Sequence, residues 1–90
     1  MRFEWDPLKA KLNFAKHRIS FEEATTAFRD PLSVTTADPD HSSKENRFVT
    51  FGLSTKGKLL LVTHTERGES IRIISARRAP KQEREIYEEG

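Results

Sequence analysis

Four apolar residues in a row, Leu59-Leu60-Leu61-Val62, constrain this chain more than any other feature. They sit between two turn signals, Thr55-Lys56-Gly57 before them and Arg67-Gly68 after. A strand with one wet face alternates apolar and polar residues. A run that is apolar on both faces belongs in the middle of a sheet. Lys58 to Glu66 is therefore a central strand, and the flanking segments supply its neighbours. Arg47 to Ser54 puts Val49, Phe51 and Leu53 on one face, and Ser70 to Ala76 follows the Arg67-Gly68 turn. Leu32 to Thr36 alternates as a further strand. Connections this short join antiparallel neighbours, so these segments form a meander.

Helices are signalled at three places. Asp6-Pro7 pairs an N-cap residue with a proline at the first helical position. Leu8, Leu12 and Ala15 follow at helical spacing, predicting a helix over 7–17. Ser20-Phe21-Glu22-Glu23 reads as a capping box, with Ile19 and Ala24 as the hydrophobic staple, and predicts a helix over 21–29. Asp30-Pro31 ends it, because the residue before a proline is pushed out of the helical region. Ala79-Pro80 opens a charged helix over 80–89, whose Ile86 and Tyr87 can dock on the sheet. Phe3-Glu4-Trp5 is a candidate short edge strand, and 37–46 is a polar loop containing Asp38-Pro39-Asp40-His41. The expected fold is a single α+β domain over 1–90. Two N-terminal helices and a C-terminal helix pack with a four-stranded antiparallel sheet, with the helices on one face.

Composition narrows the function classes. Hydrophobic residues make up 34% of the 90 and charged residues 33%, a lean core under a charged surface. With no cysteine, disulfides and thiolate metal sites are excluded, and a reducing cytoplasm is the expected setting. Neither an apolar signal region nor a membrane-length apolar run is present, so a soluble protein is expected. The net charge is only +2, but 67–84 holds six basic residues against two acidic ones. Such a local stripe suits a polyanion, and equally a solvated face with scattered ion pairs.

The chemistry concentrates in His64 to Ala79. Four arginines (Arg67, Arg72, Arg77, Arg78) and His64 occupy these sixteen residues. Arginine grips phosphate through a planar fork of permanently charged donors, and histidine moves protons near neutral pH. Together they are the minimum equipment for cutting RNA. A two-residue turn at Arg67-Gly68 pairs Glu66 with Glu69, His64 with Ile71 and Arg77 with Lys58. It leaves two like charges opposed, so a wider turn stays open. In this register His64 shares a face with Leu60, Val62, Ile71 and Ile73 at the rim of the core. Arg77 then lies about 20 Å away along the strand. Arg72 suits either a solvated face or a phosphate grip, and Arg77-Arg78 either a polyanion or pairing with Glu83 or Glu85. Glu45, beside Lys44 and near Arg47, and Glu66 are the acidic candidates for proton transfer. His17, His41 and His64 are widely separated, and no His-x-x-x-His pair, Gly-rich phosphate loop or Gly-x-Ser-x-Gly elbow occurs. No metal site or cofactor is expected.

Several stretches in order resemble the BrnT family of bacterial type II toxins. They are Phe3-Glu4-Trp5-Asp6, Lys16-His17-x-Ile19-Ser20-Phe21-Glu22-Glu23-Ala24, Asp30-Pro31, Asp38 to His41, Glu45-x-Arg47 and His64 to Arg78. The resemblance implies a RelE-like ribonuclease that cleaves RNA to arrest translation. It also implies a BrnA-type antitoxin, itself a DNA-binding protein, so that DNA is met only through that partner. His64, Glu66, Arg67, Arg77 and Arg78 are carried over as catalytic candidates. Arg72, Lys81, Lys44 and Arg47 are the RNA-binding candidates. The expected reaction is metal-independent attack of a ribose 2′-hydroxyl on the adjacent phosphate. A binding module without catalysis, for nucleic acid or for a partner, is the rival reading.

Overall fold

The computed structural model describes residues 2–38 and 46–89. Its elements are β1 (Arg2–Glu4), α1 (Pro7–His17), α2 (Phe21–Ala27), β2 (Val34–Ala37), β3 (Arg47–Leu53), β4 (Leu59–Arg67), β5 (Ser70–Arg78) and α3 (Lys81–Glu89). Both helix starts form from their caps. The Asp6 carboxylate accepts from the Leu8 amide and the Ser20 hydroxyl from the Glu23 amide. The reciprocal half of the expected capping box is absent. Glu23 turns its carboxylate inward, where it accepts from the Ser54 hydroxyl at 2.7 Å, with the Lys58 ammonium 4.0 Å away.

The strands form one sheet in the order β1-β5-β4-β3-β2. It is five-stranded and mixed, which corrects the four-stranded antiparallel expectation. The β2-β3-β4-β5 meander is antiparallel as expected, but β1 joins the outer edge of β5 in parallel. β1 spans only three residues and pairs with Ser70, Ile71 and Arg72. Beyond it the edge of β5 is satisfied by Asn13 of α1. The Asn13 amide accepts from the Ala76 N–H at 3.1 Å and donates to the Ala76 carbonyl at 2.8 Å, standing in for a strand partner.

α1 and α2 lie on one face of the sheet. There Ile19, Phe21, Ala24, Ala27, Leu60, Val62, Ile73 and Ala76 form the core, each large side chain contributing about 1.5–3 kcal/mol by its burial. The helix–sheet spacing is tight at Gly52, where a Cβ would stand 2.4 Å from the Ala27 carbonyl oxygen. α3 departs from the expectation of helices on one face only. It crosses the Leu53–Leu59 end of the sheet on the opposite side, where Glu83 meets Arg77 and Tyr87 donates to Asp30 at 2.7 Å. Asp30 also accepts from the Leu53 and Leu32 amides. Burial would raise its pKa, but these hydrogen bonds outweigh it and hold the carboxyl below the usual range. Thus Asp30, three residues past the end of α2, also pins α3. Among the described residues no helix is long and apolar enough to cross a membrane.

Candidate functional site

Side chains alternate across a strand, so every residue of β4 and β5 belongs to one face or the other. Leu60, Val62 and His64 of β4 point to the helix face, while Leu61, Thr63, Thr65 and Arg67 point to the opposite, open face. The hairpin turns at Gly68-Glu69, with Arg67 paired to Ser70. Gly68 has φ 59° and Glu69 no positive φ, the combination of a II′ turn with glycine first. This shift of the turn removes the Glu66–Glu69 opposition of the simpler register, since Glu66 pairs with Ile71.

A second departure matters more. Thr63 pairs with Ser75 and His64 with Ile73, so Ile74 is an extra residue, a β-bulge. Residues five apart on a regular strand face opposite sides. The bulge cancels one step and brings Arg72 and Arg77 to the same face. Arg77 consequently pairs with Leu61 instead of Lys58. It stands three residues from His64 along the ladder, about 10 Å, half the expected separation. The two nevertheless point to opposite sides of the sheet.

The open face is ordered in rows about 7 Å apart. Arg67, Ser70 and Arg2 form the first row, and Arg47, Thr65, Arg72 and Glu4 the second. Val49, Thr63 and Ser75 form the third, and Phe51, Leu61 and Arg77 the fourth. Arg72 donates to Glu4 at 2.9 Å, and Arg77 to both carboxylate oxygens of Glu83 at 3.3 Å. Guanidinium groups thus border a strip of threonine and serine hydroxyls about 14 Å long. An open depression of about 210 Å³, lined by Asn46, Thr65, Glu66 and Arg67, lies at the hairpin end. Among the described residues no three His, Asp or Glu side chains gather to hold a metal ion.

His64 belongs to the core. It is 2% exposed, its Nε2 is 2.8 Å from the Thr50 hydroxyl, and Thr50 is in turn 2.7 Å from the Thr35 hydroxyl. Phe28 meets the imidazole edge-on at 4.9 Å between centroids and Phe48 stacks at 5.9 Å. Burial lowers its pKa from 6.5 to about 4, so the ring is neutral at pH 7. Its Nδ1 has no hydrogen-bond partner.

The other sequence candidates scatter. Glu66 and Arg67 are exposed at the hairpin end, and Arg78, exposed, pairs with Leu60 at the other. Arg47 and Arg72 are brought into one row. Lys81 begins α3, but its side chain is outside the described set, as are Lys44, Glu45, Asp40 and His41 altogether. Thr63, Thr65 and Ser75 were not singled out from sequence. The signal for the first two was present, since Thr63, Thr65 and Arg67 repeat with the period of a strand. Ser75 joins them only through the bulge.

A family model described as the ribonuclease toxin BrnT of a type II toxin–antitoxin system matches residues 5–83. The fold is similar to the 1.1 Å crystal structure of the Brucella abortus ribonuclease toxin BrnT, with a TM-score of 0.62 and 25% sequence identity. That similarity covers 90% of this chain and 99% of the Brucella chain. Comparison with curated proteins finds no match.

Proposed function

The chain belongs to the BrnT family of ribonuclease toxins of type II toxin–antitoxin systems, and from that premise we propose that it cuts RNA on the open face of its sheet without a metal ion. The observation that carries this reading is the alignment of Arg47, Arg72 and Arg77 on one face, the last of them through the bulge at Ile74. Arginines stay protonated, so their part is to hold phosphate and to stabilise charge on the phosphorane oxygens. Glu66 pairs with Ile71 and so leaves β4 on the helix side, but at the hairpin end it lines the same depression as the open-face residues Thr65 and Arg67. It is the proposed acceptor of the 2′-hydroxyl proton, with Arg67 beside the phosphate that is attacked. Arg78, on the helix side opposite Leu60, and the sequence candidates Lys81 and Lys44 are further proposed sources of positive charge for RNA binding.

His64 takes a structural part in this reading. Its ring is enclosed by Phe28, Phe48 and Thr50 and points away from the arginines. The attack closes a 2′,3′-cyclic phosphate and expels a 5′-hydroxyl. Cleavage of RNA in the cytoplasm would arrest translation. A type II toxin has an antitoxin partner, and we propose a BrnA-type protein that carries the DNA contacts of the pair.

Incubation of the purified protein with single-stranded RNA in EDTA, followed by end-group analysis, tests the reaction. Cyclic phosphate and 5′-hydroxyl ends in chelator are expected. Activity lost in EDTA and restored by a divalent cation, or 5′-phosphate products, would overturn it.

A further inference from the structure

Thr65 is 7% exposed, and its hydroxyl oxygen is buried without any hydrogen-bond partner. A hydroxyl left unpaired in a protein interior is destabilising by about 1–3 kcal/mol, so such a group is an exception that calls for a cause. Its surroundings supply one. Thr65 pairs with Arg47 on β3 and with Arg72 on β5, so two guanidinium-bearing residues flank it on the same face of the sheet. Thr65 also lines, with Asn46, Glu66 and Arg67, a depression that opens to solvent beside the buried hydroxyl. Glu4 accepts from Nη1 of Arg72, and a guanidinium carries five N–H donors in all.

We propose that Thr65, between Arg47 and Arg72, forms a subsite for a non-bridging phosphate oxygen of the RNA backbone. The two arginines bring the oxygen to the sheet, and the Thr65 hydroxyl donates the short-range hydrogen bond that fixes its position. The Arg47–Thr65–Arg72 row runs across three strands, so its geometry is set by the hydrogen bonding of the sheet instead of by a loop. This inference rests on the proposed cleavage of RNA and adds to it the residue that registers the substrate.

The test is Thr65→Val, which removes the hydroxyl and keeps the branched shape, with Thr65→Ser as the conservative variant. The probe is a single-stranded RNA carrying 2′-O-methyl groups, which can bind but cannot be cut. Thr65→Val is expected to bind it about tenfold more weakly, and Thr65→Ser within about twofold of wild type. On cleavable RNA the loss falls on KM more than on kcat. The melting temperature of Thr65→Val is expected to rise, since an unpaired buried hydroxyl has gone. A purely structural hydroxyl would lower it. Wild-type affinity in Thr65→Val, or a lowered melting temperature, overturns the subsite. If wild type cuts RNA and Thr65→Val cuts equally well, the subsite falls and the cleavage reading stands. If wild type binds the probe with the expected dependence on Thr65 but cuts no RNA, the subsite stands and the cleavage reading falls.

Discussion

His64 and Thr65 are neighbours in sequence and opposites in setting. Both are buried and each has one polar atom without a partner, yet the pleat sends them to different faces. His64 enters the helix face, among aromatic rings and apolar side chains, where burial keeps it neutral. Thr65 enters the open face, between residues that carry permanent charge. The same two strands therefore build a low-dielectric core on one side and a polyanion surface on the other, separated by one peptide unit. Proximity along the chain is thus a poor guide to shared chemistry, and strand parity is a better one.

The strongest way to break this division is to remove charge from the open face. Replacing Arg47 and Arg72 together by alanine is expected to lower kcat/KM for RNA by a factor on the order of 10³, a value in the range for lost electrostatic donors. Removal of Arg72 by itself should change folding stability by less than about 1 kcal/mol, because the Arg72–Glu4 pair is partly exposed and such pairs contribute little. Urea denaturation beside the kinetic assay checks both. An inactive variant that has also lost its cooperative transition would show that the arginines belong to the scaffold.

The helix face makes the complementary prediction. His64 has an ordinary pKa of 6.5 when unfolded and about 4 when folded. Between those values the unfolded chain binds more protons, so stability falls as pH falls. The contribution of His64 is complete above pH 6.5 and lost by about pH 4. The loss is about 2–3 kcal/mol, the upper end being the full shift of the pKa. His64→Gln keeps an amide able to pair with the Thr50 hydroxyl and cannot titrate. Denaturation midpoints between pH 4 and 7 should therefore slope less steeply than in wild type. RNA cleavage per folded molecule at pH 7 should stay within a few-fold of wild type. A hundredfold loss with unchanged stability would collapse the contrast and return His64 to the active site as its proton shuttle.

Much of this molecule could be read from local sequence. Asp6-Pro7, Ser20, Asp30-Pro31 and the Leu59–Val62 run mark their elements because caps, prolines and hydrophobic runs act within a few residues. What escaped reading depends on distant partners. The place of β1 beside β5 follows from a pairing across nearly seventy residues. The turn at Gly68-Glu69 and the bulge at Ile74 each shift the register, and each shift re-aims the arginines after it. The sequence-based register therefore set Arg77 on the face of His64, at twice the true spacing along the strand. The buried place of His64 was legible from the parity of β4, but the open-face role of Thr65 required knowing what lay opposite it on both neighbouring strands.

The smallest expected effect concerns the boundary of the open face. Glu83 of α3 holds Arg77 through two hydrogen bonds of 3.3 Å, with both side chains about one-third exposed. A pair in that setting is worth only a few tenths of a kcal/mol to folding, since water and salt screen it. It does, however, set a carboxylate against the arginine that ends the strip, where a phosphate would compete with it. Glu83→Ala is therefore expected to leave the denaturation midpoint almost unchanged and to tighten RNA binding about two- to threefold at low salt. The gain should shrink as salt rises, because an added phosphate contact steepens the salt dependence. Binding titrations at several salt concentrations measure it. Tighter binding would place Arg77 on the RNA track, and unchanged affinity at every salt concentration would confine the track to the Arg47–Arg72 row and the hairpin end.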